Sequence, residues 1–238
     1  MTDGVDVLIV AAFHPELAGL RALLVPASAA QASSHGEDVS ARVSSLHVVA
    51  SAVGIGMPNA AVGAASRVAT RKPRAVVLVG TCGAYAERGF AIGDVAVAAK
   101  VRLVEPAVCE GRAAIPGPMS VSTDAHPALG AQLLACGGEG GAVRAANIAT
   151  TLAVTTDDAL AAMVARASSS NVEHLEAFAV ATACAAFGVP FVAVLGVANV
   201  VGSSAREQWR VNHRATADAA AGVVFRWLQA GAPGLPPR

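Results

Sequence analysis

The chain has 238 residues, 54% of them hydrophobic and only 14% charged, with 17 basic residues against 17 acidic ones. That composition excludes a disordered chain, and the charge balance gives no footing for a nucleic acid or an anionic membrane surface. No apolar run reaches transmembrane length, the start lacks the basic segment of a signal peptide, and Cys82, Cys109, Cys136 and Cys184 show no CxxC or metal-like spacing. A cytoplasmic protein with free thiols and no metal is expected.

Val5–Ala12 reads as a buried strand, followed by Phe13-His14-Pro15-Glu16 and a helical pattern with Leu17, Leu20 and Leu24 on one face. Pro15 suits a first helical turn, which sets Glu16 just past a strand end. Residues 26–40 are small and polar and read as loop. Ala41–Ala52 alternates and then turns apolar, giving one or two strands. Val53-Gly54-Ile55-Gly56-Met57-Pro58-Asn59 is a glycine-lined turn into an alanine-rich helix ending near Arg71. It lacks the third glycine and the later acidic residue of a dinucleotide fingerprint, so no nicotinamide site is expected.

Ala75-Val76-Val77-Leu78-Val79 is apolar without alternation, as in a strand covered on both faces, and a turn with Gly80 and Gly83 is expected around Thr81-Cys82. Ile92–Ala98 reads as the next strand and Glu105–Met119 as a long loop. Asp124–Cys136 reads as a helix, Gly137–Gly141 as a turn and Asn147–Val154 as a strand. Thr155–Asp158 caps a following helix. Asn171–Leu175 is extended, and a small-residue helix runs from Glu176 to Gly188. Pro190–Ala198 is a buried strand ending on Asn199. Gly202–Gln208 is a loop, a long helix starts at Trp209, and 231–238 is a Pro/Gly tail.

Strands alternate with helices throughout, which argues an α/β fold: a three-layer αβα single domain over residues 1–230, with a mixed, mostly parallel central sheet. Glu16 and Thr81 follow strands, Asn199 ends one, and Glu176 opens a helix after one. If the strands are parallel, these groups meet in one cleft. Two carboxylates with an amide and a hydroxyl suit cleavage through an oxocarbenium-like transition state.

The segments AAFHPEL, SAVGIGMPNAA, VLVGTCGAY, IGDVAVA, VEHLEAFAVATAC and VPFVAVLGVANVVG stand in one order over about residues 5–230. Together they resemble the nucleoside phosphorylase/nucleosidase superfamily. The resemblance implies that Glu16 activates water and that Glu176 holds the ribose hydroxyls. It sets Leu175 where the family usually has methionine, and Thr81, with Cys82 and Gly83 beside it, along the ribose and water site. Asn199 falls where adenine-specific members carry an aspartate. Phe178, like Phe13 and Tyr85, is a candidate for stacking on a base.

Two departures narrow the expected function. Leu78 stands where the related phosphorylases hold phosphate with an arginine, and a leucine offers phosphate nothing. Leu195 replaces an arginine that nucleosidases often carry. An asparagine amide at position 199 offers both a donor and an acceptor, which suits a 6-oxopurine. The segment ANVVGSSAREQWR also resembles the futalosine hydrolases, with Arg206 and Arg210 as candidates to pair with a substrate carboxylate, neither of them placed by sequence, and Trp209 read as packing. The resemblance therefore implies a cofactor-free N-ribosyl hydrolase that releases hypoxanthine from futalosine on a route to menaquinone, built as a homo-oligomer. A phosphorylase, a methylthioadenosine/adenosylhomocysteine nucleosidase and a non-catalytic nucleoside-binding paralogue are the rival readings.

Overall fold

The computed structural model describes residues 4–24, 38–137 and 141–237. Residues 138–140 of the expected turn and most of the loop at 26–40 lie outside these residues. The strands are β1 (Val7–Ala11), β2 (Val39–Val43), β3 (Leu46–Ala52), β4 (Ala75–Ala84), β5 (Val95–Leu103), β6 (Ser122–Asp124), β7 (Val143–Thr150), β8 (Val172–Glu173) and β9 (Phe191–Val200). The helices are α1 (Ala18–Leu24), α2 (Met57–Arg71), α3 (Pro106–Cys109), α4 (Pro127–Ala135), α5 (Asp158–Ser168), α6 (Ala177–Ala186) and α7 (Ala205–Gln229). No helix among the described residues is long and apolar enough to cross a membrane.

The fold is α/β with a mixed sheet. β1 lies between β3 and β4, parallel to both, and β4 runs parallel to β9. β9 is antiparallel to β5, β5 and β7 are parallel, β7 and β8 are parallel, and β8 returns antiparallel to β4. Strands β4, β9, β5, β7 and β8 thus form a ring, and β1, β3 and β2 extend from one side of it. All ten residues of β4 are buried, as its unbroken apolar run demands. α7 packs on β4, β9 and α1, while α2 packs on α6. Trp227 of α7 is wholly buried, with its indole N–H satisfied by the Pro233 carbonyl. Burying a side chain of this kind contributes about 1.5–3 kcal/mol.

The structure moves several boundaries. No turn breaks the chain at Gly80: β4 continues through Thr81 and Cys82 to Ala84, because β9 supplies backbone partners as far as Ala84↔Val200. The irregularity is a register shift between Cys82 and Gly83. β5 starts at Val95 rather than Ile92 and β7 ends at Thr150. The 105–119 segment contains α3, and the expected helix from Asp124 begins only at Pro127, after β6. β9 runs one residue past Asn199, to Val200, and α7 starts four residues before Trp209. At α6 the expectation and the structure agree: Gly188 follows the helix with φ +63°, a left-handed position that favours glycine.

Candidate active site

β1 ends at Ala11 and delivers the chain into a short 3-10 helix, His14–Leu17, with Pro15 in its first turn. Glu16 is thereby turned inward and is only 7% exposed. Its Oε1 accepts two hydrogen bonds from one residue, the Thr81 N–H and the Thr81 hydroxyl, both at 3.0 Å. Its Oε2 is buried without a partner among the described residues. Gly80 makes the approach possible, since a Cβ there would stand 2.9 Å from Glu16 Oε1. Burial pushes the Glu16 carboxyl up to about 7; the Thr81 bonds oppose the shift and the charge of Glu176 adds to it. A carboxyl poised near neutrality suits general acid–base work.

Glu176 caps α6 and is also buried. Its Oε1 accepts the backbone N–H of Gly56, at the start of α2, at 2.8 Å. Gly56 has φ +81°, a conformation that glycine adopts without strain. His174 Nδ1 lies 3.3 Å from Glu176 Oε2. That nitrogen accepts the N–H groups of Glu176 and Ala177, both at 3.1 Å, so it carries no proton to give. Burial also lowers the His174 pKa. The contact is therefore a close approach of a neutral ring and not an ion pair.

Asn199 pairs in register with Gly83 across β9 and β4, and its side chain lies over that glycine. A Cβ on Gly83 would stand 2.7 Å from Asn199 Nδ2. Asn199 Nδ2 donates to the Val200 carbonyl at 3.0 Å, which leaves one amide proton and the amide oxygen. Cys82 is buried beside Thr81, and burial pushes its thiol pKa up, so it offers no nucleophile.

The other expected residues are spread more widely. Leu175 is half-buried next to Glu176, and Phe178 is half-buried against the core. The Arg206 side chain is exposed on the first turn of α7 and makes no hydrogen bond or ion pair among the described residues, and the same holds for the Arg210 side chain. Tyr85 is buried, with its hydroxyl on Glu173 Oε2 at 2.9 Å, so its ring is core and not a platform for a base.

Sequence reasoning missed three features. Trp209 Nε1 donates to the Thr81 hydroxyl at 3.1 Å, where packing alone was expected. Gly56 reaches Glu176, although its segment read only as a turn. Glu173 is a further buried carboxylate, held by Tyr85 and by the Thr155 N–H at 3.0 Å and hydroxyl at 2.6 Å. A signal for Trp209 was available: Gln208, Asn212 and Thr216 recur four apart along one side of α7.

No group of three or more His, Cys, Asp or Glu among the described residues could hold a metal ion. Two cavities lie apart from the cluster, one lined by Arg102, Val108 and Ile115 and the other by Val97, His126 and Leu134. Neither presents a buried carboxylate, so the chemistry is argued from the Glu16 cluster. Leu78 and Leu195 are fully buried in β4 and β9, which puts no cation at either position.

A family model described as the phosphorylase superfamily matches residues 6–230. Among solved structures, a 5'-methylthioadenosine/S-adenosylhomocysteine nucleosidase from Neisseria meningitidis, in complex with methylthio-immucillin-A, is similar at a TM-score of 0.79 and 19% identity, covering 94% of this chain and 99% of that one. The futalosine hydrolase of Helicobacter pylori is similar at 0.80 and 13%, covering 95% and 98%. An S-adenosylhomocysteine nucleosidase from Streptococcus pyogenes is similar at 0.80 and 22%, covering 99% of each chain. No curated protein sequence matches.

Proposed function

The chain belongs to the phosphorylase superfamily, and on that premise we propose that it is a nucleosidase that hydrolyses the N-glycosidic bond of a 6-oxopurine nucleoside, with futalosine as the substrate. The observation that carries this reading is the state of Glu16: buried, raised to about 7, loaded on Oε1 by Thr81 and open on Oε2. Glu16 Oε2 would take a proton from a water as its oxygen attacks C1′. Glu176 would hold the ribose 2′ and 3′ hydroxyls and favour the positive charge that develops on the ring. The free N–H of Asn199 Nδ2 would donate a hydrogen bond to N7 or O6 of the departing hypoxanthine, and its Oδ1 would accept one from a ring N–H. Thr81, Cys82 and Gly83 would wall the ribose, with Leu175 and Phe178 as its apolar neighbours. Arg206 would meet a carboxylate on the 5′ side.

Water is favoured over phosphate as nucleophile because Leu78 puts no charge where an anion would need donors. A second reading, a methylthioadenosine/adenosylhomocysteine nucleosidase, draws on the likeness to the Neisseria and Streptococcus structures. Asn199 separates the two. The enzyme would act as a cytoplasmic homo-oligomer, with Ile55 and Val62 among the large apolar side chains left exposed for it. Phosphate-free incubation with futalosine, inosine and methylthioadenosine tests the proposal. Hypoxanthine release from futalosine is expected. Adenine release as the main activity would overturn the base assignment, and strict phosphate dependence would overturn hydrolysis.

A further inference from the structure

We propose that Trp209 is a positioning residue for Glu16, acting through the Thr81 hydroxyl to decide which carboxyl oxygen is held and which is left for the proton. The proposal deepens the reading of Glu16 as the base, and its test is chosen so that the two can fail separately.

The Thr81 hydroxyl has a single proton and lies between two partners, Trp209 Nε1 at 3.1 Å and Glu16 Oε1 at 3.0 Å. An indole N–H can only donate. The hydroxyl must therefore accept from Trp209, and its own proton is committed to Glu16. With the Thr81 N–H on the same oxygen, Oε1 is fully engaged and the carboxyl proton belongs on Oε2. Donation into a hydroxyl also strengthens the bond that the hydroxyl gives, so Trp209 favours the ionised form of Glu16. Without the indole, the hydroxyl is free to turn away.

The indole is itself held. Its ring stacks on His213 at 4.4 Å and 18°. Gln208 Oε1 accepts the Val200 N–H at 2.8 Å, and Asn212 Nδ2 donates to the Ala198 carbonyl at 3.1 Å. These bonds fix α7 against the end of β9 on either side of Trp209 in sequence. The titratable groups coupled to Glu16 are Glu176 at the start of α6 and Cys82 on β4, and His14 shares its short helix. α7 adds His213 behind the indole and Asp218 against Gly19 of α1. β1 has none, and His47 of β3 sits at the opposite strand end, beside Asp6.

Infrared titration of the Glu16 carboxyl, with Glu16→Gln as the blank, reads the effect without any substrate. Trp209→Phe is expected to move the midpoint up by roughly 0.3–0.5 pH unit. Thr81→Val should raise it further, and adding Trp209→Phe to that variant should change nothing more. An equal shift in both backgrounds would mean that Trp209 acts by packing, and no shift would mean that it does not act; either result overturns the proposal. Should Trp209→Phe fail to fold, ¹⁵N-indole NMR of the unaltered protein replaces it, with Trp227 as internal reference. The Trp209 signal should follow the Glu16 titration and lose that dependence in Thr81→Val and in Glu16→Gln. A dependence that survives both belongs to His213 and overturns the proposal. Absence of nucleoside hydrolysis would overturn the functional reading while leaving this titration intact.

Discussion

Gly56 gives its backbone N–H to Glu176 Oε1 at 2.8 Å, across 120 residues of sequence. The bond ties the positive end of α2 to a carboxylate at the start of α6. It also holds Glu176 near enough to Glu16 for the two charges to repel.

That repulsion gives a signed expectation. Glu176→Gln removes a negative neighbour, so the Glu16 carboxyl should titrate lower and the acid limb of kcat/KM should move to lower pH. Burial, the larger cause of the raised value, remains, so the limb should stay above an ordinary glutamate's. A limb that stays in place or rises would contradict the coupling.

Glu16→Gln should lower kcat by about 10²–10⁴-fold, the usual worth of a general base. Nucleoside binding, measured calorimetrically, should persist. In the unaltered enzyme kcat/KM should fall tenfold per unit below a pH of about 7, where Glu16 takes up its proton. A flat profile between pH 5 and 8 would remove Glu16 from the base role.

The same carboxyl should tax stability at high pH. Its folded pKa of about 7 lies above the ordinary glutamate value of 4.5, so the folded state holds the proton more tightly than the unfolded one. The stability this brings is complete below about 4.5 and is lost as pH rises through about 7. Above that, Glu16→Gln should be the more stable protein, by up to about 3 kcal/mol, and the two should converge in acid. Thermal unfolding at pH 5 and pH 8 reads the difference, at about 2–4 °C per kcal/mol.

Gly80→Ala would put a methyl 2.9 Å from Glu16 Oε1, against a carboxyl that Thr81 holds from the other side. Loss of about 1–3 kcal/mol of stability is expected from overpacking, together with a fall in kcat as the carboxyl moves. Normal turnover in a folded Gly80→Ala protein would mean that the position of Glu16 is not critical.

Asn199→Asp should redirect the base. An ionised aspartate only accepts, so it must first take up a proton before it can offer the donor that the amide always carries beside its acceptor. Release of hypoxanthine should fall by about tenfold or more, with adenine release rising relative to it. An unchanged ratio of the two would dissociate Asn199 from base choice.

The strands were legible where they are buried on both faces, because β1, β4 and β9 leave uninterrupted apolar runs. Their ends were less so. The glycines at 80 and 83 read as a turn, yet they serve as flat places in a strand where Glu16 and Asn199 lie over the backbone. Only the partner strand β9 decides that, and sequence pattern does not carry a partner. Glu16 and Glu176 were found as carboxylates at element starts with a family pattern behind them. Trp209 was not read as polar, because indoles pack far more often than they donate to a distant threonine. Glu173 was passed over because the hydroxyls that satisfy it, on Tyr85 and Thr155, arrive from other elements.

Glu16 and Trp209 stand nearly two hundred positions apart in the sequence, yet both close on Thr81. During synthesis the base would emerge early with only half of its setting, since the indole and the β9 strand leave the ribosome much later. Without that burial the carboxyl would be hydrated and would keep an ordinary glutamate's acidity. Its shift toward neutrality is thus a property that the nascent chain acquires late, when α7 docks. A ribosome-bound series of increasing length should show nucleoside turnover switching on only once α7 has cleared the exit tunnel.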